Sequence, residues 1–285
     1  MTFKNYLTEE KQILDEALIT FGNKRPKYNQ AVIIAGGAGS GKGFVIENLI
    51  GIEAKVLDVD QIKGLIIHPG TPKLNKKILD KYGIDVTKMD LRDSEAVRQL
   101  HQINDEMGIS DKVQALFFKD MDRLAKKEML PNVIFDSTMK SEKKLREITE
   151  ILEVAGYKNE NIHIVWVVNS VQKAVNQNKT RSRVVPEDIL IQTHEMVAAN
   201  ISSLLKGNKI DKYIGGDMWL AFNQQYVDAS LVFSEFGGKY IERALLVKIK
   251  PRGKRTMSFG EIADKFVHKI QRYIPKSVQK LWSKK

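Results

Sequence analysis

The chain contains no cysteine, which excludes disulfides, thiolate metal sites and cysteine nucleophiles together and agrees with a reducing compartment. No stretch approaches the roughly 20 apolar residues of a membrane span, so no membrane-spanning role is expected. The opening MTFKNYLTEEKQ puts acidic and amide residues where a secretory signal carries its apolar core, and a cytoplasmic location is the expectation. There is no internal repeat and no low-complexity segment. With 285 residues and 42% hydrophobic content, the chain is instead long and apolar enough to bury a full core.

Acidic residues are scarce in one region. From Lys248 to Lys285 there are twelve Lys or Arg against only Glu261 and Asp264, a balance of +10 out of a net +11. The basic character therefore belongs to the C-terminal tail. Such a tail reads as a surface for nucleic acid or another polyanion, or simply as a solubilising face.

Residues 7 to 20 space Leu7, Ile13, Leu14 and Leu18 at near-helical intervals and predict an amphipathic helix. QAVIIAGG then reads as a doubly buried strand, GKGFVIENLIG as a helix and AKVLDVD as a second strand, the opening of a parallel α/β domain. Residues 61 to 129 show three helix-like stretches and no convincing strand, which predicts a helical insertion. PNVIFDST, SEKKLREITEILEVAG and NIHIVWVV complete a further βαβ unit, and a long helix runs from Glu187 to about Leu205. Near the C-terminus, GEIADKFVHKIQRYI sets Ile262, Phe266 and Ile270 against Lys265, Lys269 and Arg272 on the opposite face. The expected architecture is α/β: a P-loop NTPase-type parallel sheet flanked by helices, in a domain over 1–247, followed by a basic extension with an amphipathic helix over 248–285.

The strand-to-helix junction carries Gly36, Gly37, Ala38, Gly39, Ser40, Gly41 and Lys42, which fits the pattern G-x-x-x-x-G-K. Glycines let successive N–H groups turn inward toward phosphate oxygens, the helix start adds its positive dipole end, and Lys42 supplies an ammonium. These residues, with the following Gly43 and Phe44, form the expected binding loop for ATP or GTP. Gly43 stands where this pattern normally has a Ser or Thr hydroxyl for Mg²⁺. The metal then depends on phosphates, water and carboxylates, an arrangement Mg²⁺ tolerates.

Two strands end in acids. Asp58 and Asp60 share one side of the second strand, and Asp60, at its tip, is the candidate base for an acceptor hydroxyl, with an N-cap as its alternative role. Asp136 ends the third strand and is the candidate on the metal side, while Ser141 is the expected cap of the next helix. A basic loop over 179–186 places Arg181 and Arg183 where a lid would stabilise transferring phosphoryl oxygens.

In combination, AGGAGSGKG, VLDVDQIKGLIIHPG, VIFDST and RSRVVPEDIL resemble the zeta-toxin and polynucleotide-kinase branch of P-loop kinases. The resemblance covers roughly residues 30 to 205. It implies that Asp60 is the general base, that Lys63 and His68, with Pro69, lie near the substrate, and that the lid arginines grip donor phosphates. It further implies transfer of a γ-phosphoryl group to an acceptor hydroxyl, in the zeta-toxin branch that of a nucleotide-activated amino sugar. Two alternatives stand beside this: a nucleic-acid kinase acting on a 5′ hydroxyl or a hydroxylated base, suggested by the basic tail, and a non-catalytic nucleotide-binding component, suggested by Gly43.

Overall fold

A computed structural model describes residues 18–21, 26–58, 66–67, 70–109, 112, 118, 121–179, 184–222, 231–233, 239–241 and 245–265. Its centre is a six-stranded sheet made of β1 (Ala31–Ala35), β2 (Lys55–Asp58), β3 (Val133–Asp136), β4 (Ile162–Val168), β5 (Met218–Phe222) and β8 (Leu245–Lys250). The spatial order is β2-β3-β1-β4-β5-β8. The first five strands are mutually parallel, and β8 closes one edge antiparallel to β5. The short strands β6 (Leu231–Phe233) and β7 (Lys239–Ile241) pair with each other as a separate two-stranded unit.

All five residues of β1 are buried, because helices cover both faces of the strand. Ala31, Ile33 and Ala35 point into one core with Phe135 and Ile164, against α4 (Glu142–Val154) and α6 (Glu187–Leu205). Val32 and Ile34 point the other way, into a core with Val45 and Leu49 beneath α1 (Lys42–Asn48). This period-2 division is what an apolar run in a parallel sheet produces. Each fully buried Ile or Leu contributes about 1.5–3 kcal/mol. At the amino ends of the strands Asn132, 3% exposed, accepts from the Gln30 N–H and donates to the carbonyls of Pro26 and Glu53. A single amide thereby stitches the starts of β1, β2 and β3.

The region expected as a helical insertion contains α2 (Pro72–Tyr82) and α3 (Ser94–Met107). It encloses a small core of its own from Ile66, Ile78, Val86, Leu100, Ile103 and Ile109. Pro72 begins α2, and Gly83 ends it with φ +68°, a left-handed stop that favours glycine. Of the third helix-like stretch, the described helical residues are Lys112, Phe118 and the turn Asp122–Ala125.

Two expectations change. The end of the predicted N-terminal helix is extended, with Ile19 in a parallel bridge to Ile50; residues 7–17 lie outside the described residues. The division at 247/248 falls inside β8, so Lys248 and Lys250 are sheet residues. The first basic residues of the extension are paired with acids: Lys248 with Asp217, Lys250 with Asp211, Arg252 with Glu160 and Arg255 with Glu261. Residues 259–265 are helical and bury Ile262 in the main core. The rest of the amphipathic helix, 266–285, lies outside the described residues. No described helix is long and apolar enough to cross a membrane.

Candidate active site

The loop from Gly36 to Gly41 leaves β1 at its carboxyl end and enters α1, the position where ligands meet a parallel sheet. Its backbone needs glycine for two different reasons. Gly39 and Gly41 have φ of +70° and +92°, a region L side chains rarely adopt. Gly37 is not in that region; there a Cβ would lie 2.4 Å from the ring of His194.

The loop's carbonyls are tied down from outside by side chains. The Lys42 ammonium donates to Gly36 O at 3.0 Å and Gly37 O at 3.3 Å. His194 Nε2 lies 2.8 Å from Ala38 O, and Asn169 Nδ2 is 3.5 Å from Gly39 O. Because a carbonyl only accepts, His194 carries its proton on Nε2. Burial and the Lys42 charge hold its pKa below the ordinary imidazole value, against the opposing effect of the Ala38 bond. With the carbonyls engaged elsewhere, N–H groups are the polar atoms left to line a phosphate cradle.

Asp136 stands beside this loop. Its Oδ1 is 3.6 Å from the Lys42 ammonium, with both side chains less than a fifth exposed. Asp58 is the register partner of Asp136 on the neighbouring strand, so the two carboxylates share one sheet face. Ser141 caps α4 by accepting the Lys144 N–H, which leaves Asp136 clear of the capping role. Lys42, Asp136 and the glycines therefore lie together at this end of the sheet. Phe44 does not belong with them: its side chain packs against the core under α1. Ser40 is buried at 1% exposure beside Gly36. Around Gly43 there is open space, with no atom within 4 Å of the point a Cβ would occupy. Asp60, Lys63, His68, Pro69, Arg181 and Arg183 lie outside the described residues.

At the ends of the basic loop, Asn178 accepts the Val185 N–H and donates to the Val185 carbonyl. Val184 N–H donates to Leu91 O, next to the helical region. The loop thus springs from a fixed neck between α5 (Val171–Lys179) and α6. His194, Asn169 and Asn178 belong to no motif that the sequence displays. One signal for His194 existed: it lies four residues after Leu190 and three before Val197, in the apolar stripe of α6, where a titratable side chain is out of place.

A Cβ at Gly36 or Gly39 would meet Ser40 Oγ at 2.6 Å or Ala174 O at 2.8 Å, so the turn is bare backbone, the chemistry that suits a nucleotide's phosphates. Among the described residues no group of three or more His, Cys, Asp or Glu forms a metal cage. Asp136 and Asp58 fit a Mg²⁺ that arrives with phosphates and keeps waters.

Strand order and loop together define a P-loop NTPase-type α/β fold. No family model matches the chain, and no curated protein matches it in sequence. Solved structures that align with the chain include the AvrRxo1-ORF1:AvrRxo1-ORF2 complex, at TM-score 0.46 and 10% identity over 84% of this chain. The same complex with ATP aligns at 0.45 and 10% over the same share. A chain of the PezAT toxin-antitoxin system of Streptococcus pneumoniae aligns at 0.39 and 13%, over 77% of each chain. This chain spans 63% of the length of the AvrRxo1 chain it matches.

Proposed function

We propose that the chain is a P-loop phosphotransferase of zeta-toxin-like type, moving the γ-phosphoryl of ATP or GTP to an acceptor hydroxyl. The observation that carries this reading is Lys42, held between the loop carbonyls and Asp136 at the mouth of a glycine cradle. In a loose phosphoryl-transfer transition state, charge builds on the equatorial oxygens, so positioned amides and one ammonium lower the barrier by electrostatics. Lys42 releases Gly36 O and Gly37 O to reach the β- and γ-phosphates, and its distance from Asp136 keeps it poised. Mg²⁺, held on the Asp136 side, would supply charge neutralisation for the phosphates. The role of base for the attacking hydroxyl falls to Asp60, two residues beyond Asp58 in sequence, and that of stabilising the donor phosphates to Arg181 and Arg183. The acceptor-binding role falls to Lys63 and His68. The acceptor itself is a compact hydroxyl compound, for which a nucleotide-activated amino sugar is the first candidate.

The test is transfer of label from γ-labelled ATP or GTP to UDP-N-acetylglucosamine, compared with DNA and RNA oligonucleotides. Asp60→Asn should lower turnover about 10²- to 10⁴-fold, the usual contribution of a positioned base. Binding of nucleotide without turnover on any acceptor, unchanged by that substitution, would mark a binding component instead.

A further inference from the structure

We infer that His194 is a positioning residue of the phosphate loop, its Nε2–H fixing the Ala38 carbonyl and its ring filling the space that makes position 37 a glycine. The inference rests on the nucleotide-binding reading above and adds a residue 156 positions away from the loop in sequence.

Two independent contacts carry it. Across a trans peptide the carbonyl of one residue and the N–H of the next point in opposite directions. Holding Ala38 O against α6 therefore turns the Gly39 N–H toward the other side, into the cradle. The His194 bond to Ala38 is 2.8 Å, and the ring is half-buried. The second contact is steric. Gly37 lacks the positive φ of Gly36, Gly39 and Gly41, so its backbone would accept alanine. What forbids a side chain there is the imidazole, with Cδ2, Cγ and Nε2 at 2.4 to 2.6 Å from an ideal Cβ. Loop and helix are matched parts, and the match sets the loop's shape before any ligand arrives.

Lys42 acts on neighbouring carbonyls from the start of α1, and Asn169 approaches Gly39 O from the end of β4. His194 comes from α6, beyond the basic loop. It thus makes the geometry of the phosphate cradle depend on the placement of the helix that follows the lid neck at Val184–Pro186.

The experiment is ATP·Mg²⁺ titration calorimetry on the full chain, with melting temperature as a fold control. His194→Phe keeps the ring and loses the donor; affinity should fall roughly 5- to 10-fold, the value of one hydrogen bond. His194→Gln restores an N–H donor and should bind within about twofold of wild type. Gly37→Ala should weaken binding by about tenfold or more, and Gly37→Ala with His194→Ala should recover part of that loss, because the space is vacated. Imidazole ¹⁵N NMR of the ligand-free wild type should show His194 in the Nε2–H form. An Nδ1–H form, wild-type affinity in His194→Phe, or a double variant no better than Gly37→Ala would each overturn the inference while leaving the kinase reading intact. A wild type that binds no nucleotide would overturn both.

Discussion

Asp58 on β2 and Asp136 on β3 are register partners at the carboxyl ends of adjacent parallel strands, and adjacent strands lie about 4.8 Å apart. Two carboxylates so placed repel each other in the absence of cations. Lys42 offsets part of that charge from 3.6 Å, and a nucleotide's Mg²⁺ would offset more of it. Asp136→Asn should therefore keep nucleotide affinity within a few-fold yet reduce turnover about 10²-fold. Asp58→Asn should have a smaller effect, about tenfold, seen mainly as a higher Mg²⁺ requirement. Mg²⁺ titrations of the labelled-transfer rate check both; an unchanged Mg²⁺ requirement in Asp136→Asn removes that residue from the metal side.

Gly43 is exposed, helical and surrounded by open space. Replacing it with Ser meets no steric obstacle and removes part of the entropic cost of a helical glycine. It also adds the hydroxyl that this loop position normally offers to Mg²⁺. Gly43→Ser is expected to raise the melting temperature slightly and lower the Mg²⁺ concentration for half-maximal rate. A lower melting temperature would show that the space is not open in solution.

His163 predicts a pH dependence of stability. It is fully buried, its Nδ1 accepts the Asp217 N–H, and its Nε2 donates to Gln30 Oε1. Burial, then the charges of Arg252 and Lys248, push its pKa down to about 3. The Asp217 carboxylate is 4.0 Å away but is already engaged by Lys248 and the Arg252 N–H. In the unfolded chain the imidazole protonates near 6.5, so between that value and about 3 the unfolded state binds more protons. Stability is complete above pH 6.5 and falls as the pH drops, by about 2 kcal/mol between pH 7 and pH 5. His194, shifted in the same direction, adds to the slope. Urea midpoints at the two pH values measure it, and His163→Gln should flatten the dependence.

Truncation separates the two parts of the basic extension. A chain ending at 265 keeps β8, the four charge pairs and the buried Ile262, and should fold. A chain ending at 247 loses half of a sheet strand and should not. Residues 266–285 hold six Lys or Arg and no acid. If they contact polyanions, removing them should weaken oligonucleotide binding and flatten its dependence on salt. Equal binding by the 265 truncation and the full chain would end the nucleic-acid role of the tail.

Much of this was legible in the sequence because it depends on near neighbours. Six glycine-loop residues and a lysine prescribe a phosphate turn through backbone freedom and helix start alone. Runs such as AVIIA and HIVWVV announce doubly buried strands, and α6 begins at Glu187 and ends at Leu205 as its periodicity requires. Asp136 was legible too, since an acid after an apolar strand can only stand at the strand's end. Three features depended on contacts between distant segments: the register that sets Asp58 beside Asp136, the reversal that makes Lys248 and Lys250 part of the sheet, and the His194 ring against Gly37. Local propensity is satisfied by many pairings of strands and helices. Only packing both sheet faces at once selects one of them, and with it which far-off side chain reaches the loop.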